Sequence, residues 1–203
     1  NFKAEQWSDL KGKTLSLPLK GGPLDFLARY LLKENGVKAE DVNIVYRPLP
    51  NASRYFMAGK VDSIMLPEPL VTVNLIKNKK AKLSMDIQKE WAELHEGEDR
   101  IPFVGLFVSE KFAKNHPRKT EILNGLYMEG IEWVNNNPAK AAKLGAKHFN
   151  LPSKILQKSF SRINLNYYSE SETKDLINIY FKEMVEMYPE LLGGKLPDEA
   201  FYH

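Results

Sequence analysis

Residues 14–36 read TLSLPLKGGPLDFLARYLLKENG, the pattern of a strand, a glycine turn and a helix. Pro23 suits the first helical position, because its missing N–H would be unpaired there and its φ is already helical. Gly36 suits the left-handed position after the last turn. Such a turn directs backbone N–H groups and the positive end of the helix dipole above the strand, and Lys20 adds a charge. The segment therefore predicts a site for an anionic or strongly polar group.

Two more strand–helix pairs are predicted downstream. Val42–Arg47 is rich in β-branched residues and precedes a short helix that Asn51 or Ser53 would cap. Val61–Leu66 is the third predicted strand, and Leu70–Lys77 is the helix that follows it. Strands alternating with helices across short turns predict a mainly parallel sheet flanked by helices, in the α/β class. In open sheets of this kind, ligands bind at the carboxyl edge of the strands.

The remainder of the chain is predicted to be mostly helical. Lys82–Ile87 is expected to be a strand, Gln88–Arg100 a loop, and Ile101–Val108 a buried strand that leads into a helix capped by Ser109. The helical patterns after that point are Pro117–Asn136, Ala139–Phe149, Ser153–Ser161 and an apolar stripe at positions 176–185 behind the capping box Ser169–Glu172.

The composition excludes several classes of function. The chain has no cysteine, so disulfides, thiolate nucleophiles and cysteine-based metal sites are absent. The net charge of +3 is spread among acidic neighbours and predicts no nucleic-acid binding. Neither a metal nor another cofactor is predicted, because the four histidines are scattered without ligand spacing: His95, His116, His148 and His203. No apolar run approaches the roughly 20 residues of a membrane span.

Several short segments, in this order and spacing, resemble a known family. They are Asp9-Leu10-Lys11-Gly12-Lys13, Gly59-Lys60-Val61-Asp62, Pro67-Glu68-Pro69, Asn137-Pro138-Ala139-Lys140-Ala141-Ala142 and Lys195-Leu196-Pro197-Asp198. The resemblance is to ABC-transporter substrate-binding proteins of the nitrate/sulfonate/taurine type (NMT1/THI5-like), and it covers nearly the whole chain.

The resemblance implies a periplasmic-binding-protein-like fold of class II with two lobes. Residues 12–82 would form the second lobe, which is one wall of the ligand cleft, and residues 83–203 the mostly helical returning half of the first lobe. In the family, the Asp9–Lys13 segment opens the second lobe, and the front part of the first lobe precedes it. The chain begins Asn1-Phe2-Lys3 without a signal-peptide pattern. We therefore expect a fragment, or a missing sheet that is supplied from elsewhere.

The family match also implies a role without catalysis, in which two lobes close over a small polar or anionic solute. The second-lobe positions that match the ligand wall are Lys20, Gly21, Gly22, Pro23, Pro67 and Glu68. Asn51 and Ser53 would add hydrogen bonds at the next strand end. Glu68 is predicted either to accept an ammonium group of the ligand or to cap the helix that follows. If both the glycine turn and Glu68 bind ligand, the solute is zwitterionic, or polar with an amino group.

A solute-binding component of this kind would work outside the cytoplasm with a membrane permease, and the full-length protein would carry a lipid anchor or signal peptide. Two alternatives remain open. One is an enzyme resembling the fungal thiamine-pyrimidine synthases, although those relatives have a cysteine-rich active-site motif that this chain lacks. The other is a ligand-sensing domain of a signalling protein.

Overall fold

The computed structural model describes residues 2–98 and 100–202, and it divides the chain into two compact units. The first unit contains the described residues up to Ile101 together with those from Lys174 onward, and the second is Pro102–Thr173. The assignment of residues 12–82 and 83–203 to two ligand-capturing lobes stays a prediction.

The described residues contain three strands, nine α-helices and four short 3-10 turns. The strands are β1 (Thr14–Leu17), β2 (Asn43–Tyr46) and β3 (Ser63–Ile64). The helices are α1 (Pro23–Glu34), α2 (Leu49–Met57), α3 (Leu70–Lys77), α4 (Ile87–Leu94), α5 (Glu110–Asn115), α6 (Pro117–Asn136), α7 (Pro138–Phe149), α8 (Ser153–Phe160) and α9 (Glu170–Met187). The 3-10 turns are Trp7–Leu10, Ala39–Asp41, Pro189–Leu192 and Glu199–Phe201.

The sheet is parallel, as the alternating pattern predicts, and its strand order is β2-β1-β3. Leu15 of β1 is opposite Ile44 of β2 and Ser63 of β3. Side chains alternate along a strand, so Leu15 and Leu17 share one face, and Ser16 lies on the other. All three residues are buried, which identifies β1 as the central strand of a sheet covered on both sides.

Helix α1 confirms the prediction made from its local sequence. Pro23 is its first residue, Gly22 precedes it in an extended conformation, and Asn35 ends it. Gly36 then has a φ of +68°, in the left-handed region where glycine carries no Cβ penalty. The buried face of α1 is long and apolar, and it consists of Leu24, Phe26, Leu27, Ala28, Tyr30, Leu31 and Leu32.

An aromatic cluster joins α1 to α4 and α9. The ring of Phe26 meets Tyr180 of α9 edge-on, with centroids 5.2 Å apart. Trp91 of α4 lies 5.4 Å from the ring of Tyr30 and 5.8 Å from that of Tyr180. His95 stacks on Trp91 at 3.8 Å. The apolar stripe of the last long helix therefore belongs to the same core as the first strand and helix.

The region between α3 and α5 differs from the predictions. Residues 82–86 form no strand, and α4 occupies much of the predicted loop Gln88–Arg100. Asp86 caps α4 by accepting a hydrogen bond from the Gln88 amide at 3.2 Å. The segment forms a helix because Trp91, which is 1% exposed, packs into the core.

The predicted buried strand Ile101–Val108 is also wrong, because this segment is irregular and largely exposed. Val104 is 80% exposed and Phe107 is 73% exposed. A strand requires a partner for its N–H and C=O groups. Within residues 2–98 and 100–202 the sheet consists of β1, β2 and β3 alone, so this apolar run is not one of its strands.

The unit Pro102–Thr173 has the helices that the sequence predicts. The Ser109 hydroxyl caps α5 by accepting from the Phe112 amide at 3.2 Å. Pro117 and Pro138 are the first residues of α6 and α7. Helix α5 packs against α6, α6 against α7, and α7 against α8. Across the described part of the chain, no helix has both the length and the apolar character needed to cross a membrane.

The capping box before α9 is confirmed. The Glu172 amide donates to the Ser169 hydroxyl at 3.5 Å, and the Ser169 amide donates to Glu172 Oε2 at 3.0 Å. Two donors at the start of the helix are thereby satisfied.

Candidate functional site

The segments that follow the three strands meet at one edge of the sheet. Because β1, β2 and β3 are parallel, their carboxyl ends lie at the same edge. This edge carries the turn Lys20–Gly22 after β1, Arg47 and Pro48 after β2, and Pro67–Glu68 after β3. The structure therefore places the glycine turn and the Glu68 segment at the ends of neighbouring strands, as predicted.

The glycine turn has the predicted shape, but two of its amides are already occupied. Gly21 has a φ of +72°, and its N–H donates to Asp25 Oδ2 at 2.8 Å. The N–H of Gly22 donates to the carbonyl oxygen of Leu19 at 3.3 Å. The expectation that these two amides are free is therefore wrong in this structure. Lys20 is exposed beside them, and Pro23 has no N–H to offer.

A buried carboxylate organises the turn from inside the helix. Asp25 is 4% exposed. Its Oδ1 accepts hydrogen bonds from Arg29 Nε and from the Tyr46 hydroxyl, each at 2.9 Å. Arg29 Nη2 also donates to the Tyr46 hydroxyl at 2.8 Å. Asp25 therefore links the Gly21 amide, the second turn of α1 and the end of β2 in one network.

The charges of this network support one another. Burial lowers the pKa of Arg29. The hydrogen bonds to Tyr46 and Asp25, together with the Asp25 charge, raise it by more than burial lowers it, so the net shift is upward. Burial is the main cause that raises the pKa of Tyr46; the hydrogen bond from Arg29 lowers it, and the hydrogen bond to Asp25 and the Asp25 charge add to the upward shift. Arg29 is therefore charged and Tyr46 is neutral at ordinary pH.

Sequence reasoning missed this network, although one signal was present. Asp25 and Arg29 are four residues apart in a helical pattern, the spacing at which an acid and a base form an ion pair. The contribution of Tyr46 depends on the pairing of β1 with β2 and has no local sequence signal.

A cavity of about 290 Å³ opens beside the turn. Its walls carry both signs of charge, and they consist of Lys20, Gly21, Asp25, Phe26, Arg29, Tyr188, Glu190 and Leu191. A larger open depression of about 580 Å³ lies near Gly12 and Asn43, which precede or begin strands. The smaller cavity is therefore the one that adjoins the predicted anion turn.

Glu68 caps α3 in this structure. Its Oε2 accepts from the Thr72 amide at 3.1 Å, and its Oε1 accepts from the Thr72 hydroxyl at 3.0 Å. The side chain is half-buried, and the Glu68–Pro69 peptide bond is cis. Glu68 was predicted either to bind an ammonium group or to cap the following helix, and these contacts are those of the helix cap. A role of Glu68 in ligand binding stays a prediction.

Asn51 and Ser53 lie inside α2, so the prediction that one of them caps this helix is wrong. Pro48 precedes the helix, and the Asn51 amide donates to its carbonyl oxygen at 2.9 Å. Asn51 is exposed in the first turn of the helix. Ser53 is 8% exposed, and its hydroxyl accepts from Asn74 Nδ2 of α3 at 2.9 Å. Asn51 is thus accessible, whereas Ser53 joins two helices.

Among the described residues, no group of three or more histidine, aspartate or glutamate side chains is arranged to hold a metal ion. His95 interacts with Trp91 and Tyr30, and His116 packs near Phe112. His203 lies outside the described residues.

The parallel sheet flanked by helices places the chain in the α/β class, and its fold is like that of solved periplasmic binding proteins. The chain belongs to the NMT1/THI5-like family, whose family model matches residues 3–141. No curated protein matches the chain.

Solved structures share the fold at low sequence identity. An ABC transporter protein from Parabacteroides distasonis superposes with a TM-score of 0.77 at 21% identity, over 94% of this chain and 66% of that one. The periplasmic aliphatic sulphonate binding protein SsuA from Escherichia coli gives 0.69 at 16% identity, over 94% and 63%. The alkanesulfonate-binding protein SsuA from Xanthomonas axonopodis pv. citri, bound to MOPS, gives 0.64 at 18% identity, over 88% and 60%. This chain thus spans about two thirds of the length of these structures or less.

Proposed function

We propose that this chain is the solute-binding component of an ABC importer, or a piece of one, and that its solute is a small molecule with an oxyanion group. The carrying observation is the carboxyl edge of the sheet, where the Lys20–Pro23 turn and the Pro67–Glu68 segment follow two adjacent parallel strands. The fold shared with sulfonate-binding proteins supports the same role.

The proposed mechanism is capture without bond-making. Lys20 supplies a positive charge at the β1 turn, while Asp25 holds the Gly21 amide and fixes the path of the backbone. Glu68 supplies a negative charge at the β3 end, and exposed Asn51 adds an amide group at the start of α2. Closure of two lobes over the solute would complete its coordination. The partner is a membrane permease, and the site of action is outside the cytoplasm.

Isothermal titration with taurine, ethanesulfonate and nitrate tests this assignment. We expect Lys20→Gln to weaken ethanesulfonate binding about tenfold, because a hydrogen bond to a charged group contributes about 1.5–3 kcal/mol and about 1.4 kcal/mol corresponds to a factor of ten. The matched control is Lys33→Gln, an exposed lysine in the last turn of α1, which should leave binding unchanged.

Glu68→Gln separates ligand binding from capping. Loss of the cap would affect taurine and ethanesulfonate equally, whereas loss of an ammonium contact would weaken taurine alone. Equal affinities for taurine before and after this change would remove Glu68 from the site. Unchanged binding of every probe in both the Lys20 and Glu68 variants would contradict the proposed site as a whole.

A further inference from the structure

Arg47 occupies a fixed position at the same edge of the sheet, and no local sequence pattern selects it. It directly follows β2, and its amide donates to the Leu17 carbonyl oxygen at 2.8 Å, which extends the pairing of β1 with β2 by one residue. The base of this side chain is therefore held by the sheet itself. Its position is as well defined as that of the turn after β1.

The guanidinium of Arg47 is oriented by an aromatic ring. Its central carbon lies 4.1 Å from the centroid of the Tyr55 ring in α2. Lys60 Nζ lies 5.4 Å from the same centroid. Both distances are within the range of a cation–π interaction. Tyr55 thus contacts two positive charges and restricts the motion of the arginine.

Among residues 2–98 and 100–202, the guanidinium of Arg47 has no hydrogen-bond acceptor. Its Nε atom is buried and has no partner. Unlike Arg29, which pairs with Asp25, Arg47 has no carboxylate within 4.0 Å among the residues that the structure describes. A half-buried arginine without an acceptor is unusual, because buried polar groups in folded proteins are nearly always satisfied. An acceptor that arrives from outside would complete the arrangement.

The geometry points to Arg47 as a binding residue for the oxyanion group of the solute, with Tyr55 as the residue that positions it. A guanidinium presents parallel N–H donors that match two oxygens of a sulfonate, carboxylate or phosphate. This inference rests on the proposed function and deepens it, because it extends the anion site from the end of β1 to the end of β2. It also favours solutes whose acidic group offers two coplanar oxygens.

Titration with ethanesulfonate and propionate tests the inference, with ethylammonium as the probe that lacks an oxyanion. We expect Arg47→Gln to weaken the oxyanion probes at least tenfold and to flatten the dependence of their affinity on salt. Arg47→Lys should fall between wild type and Arg47→Gln, since it keeps the charge but loses the paired donors. Tyr55→Leu should weaken binding by a smaller factor. None of these changes should alter the binding of ethylammonium.

Arg54→Gln is the matched control, because Arg54 is an exposed arginine on the same helix as Tyr55. It should bind ethanesulfonate within twofold of wild type. If Arg47→Gln, checked for folding by circular dichroism, also stays within twofold, the Arg47 assignment is overturned while the proposed function stands. If the wild-type chain binds none of the oxyanion probes, both are overturned.

Discussion

Trp91→Ala is expected to lower the free energy of unfolding of the sheet-containing unit by about 3–5 kcal/mol, the usual cost of removing a fully buried tryptophan. Trp91 is 1% exposed and contacts aromatic rings on α1 and α9 as well as His95. The cavity left by its removal would be lined by groups from three separate helices. These helices cannot all shift inward at once, so the loss should be close to the upper end.

Trp133→Ala provides the matched control, since Trp133 is a helical tryptophan that is 41% exposed. We expect it to cost about 1 kcal/mol or less, as substitutions near the surface do. Urea unfolding followed by far-UV circular dichroism gives the two values. Hydrogen exchange of the Leu27 and Leu31 amides in α1 shows whether the core around α1 has been weakened. Equal destabilisation by the two substitutions would contradict the described core.

Asp25→Asn is expected to cost about 2–4 kcal/mol. Removing one partner from a buried ion pair leaves an uncompensated charge, a loss of about 3–5 kcal/mol when burial is complete. The side chain of Asp25 is 6% exposed and that of Arg29 is 24% exposed, which moderates this value. The same substitution weakens the hold on the Gly21 amide, so ethanesulfonate affinity should fall as well.

A double-mutant cycle with Arg29→Gln isolates the pair. If the pair is coupled as described, the double variant should be more stable than the sum of the two single losses implies, by about 0.5–3 kcal/mol. Glu40→Gln, which changes an exposed acid of the same unit, is the control and should stay within about 0.5 kcal/mol of wild type. An Asp25→Asn variant as stable as this control would show that the network is not formed.

The parts of the fold that follow from local sequence were predicted well. The strand β1 and the helix α1 could be placed from the sequence, because their signals are local. These signals are the apolar run of the strand, Pro23 at the start of the helix and Gly36 after its end. The parallel orientation of the strands also followed, because short turns between strands and helices leave few other topologies. Pro117 and Pro138 marked the starts of α6 and α7 for the same local reason.

The failures concern residues whose state depends on distant partners. Phe103 and Phe107 lie in a run that is apolar enough for a buried strand, yet a strand exists only beside another strand. Trp91 lies in a polar stretch whose helix becomes stable by packing on α1 and α9. An apolar pattern in the sequence shows that a segment can be buried. Whether it is buried depends on the other elements that the tertiary fold places beside it.

The candidate site shows the same division. Lys20 and Glu68 could be selected because a strand–turn–helix pattern identifies the carboxyl edge. The hydrogen bond that occupies the Gly21 amide could not be predicted, because its acceptor, Asp25, was interpreted only as a helical residue. Arg47 required knowledge of the β1–β2 pairing and of the position of Tyr55.

The central claim is that the carboxyl edge of this sheet binds the solute, and NMR chemical-shift mapping tests it most directly. Titration of the 15N-labelled chain with ethanesulfonate should shift the amide signals of Lys20, Gly21, Gly22, Arg47 and Asn51 in a saturable way. The amide signals of Gly12 and Asp41, near the amino ends of β1 and β2, should stay in place. Saturable shifts confined to Gly12 and Asp41, or no saturable shift at Lys20–Gly22 and Arg47, would contradict the account.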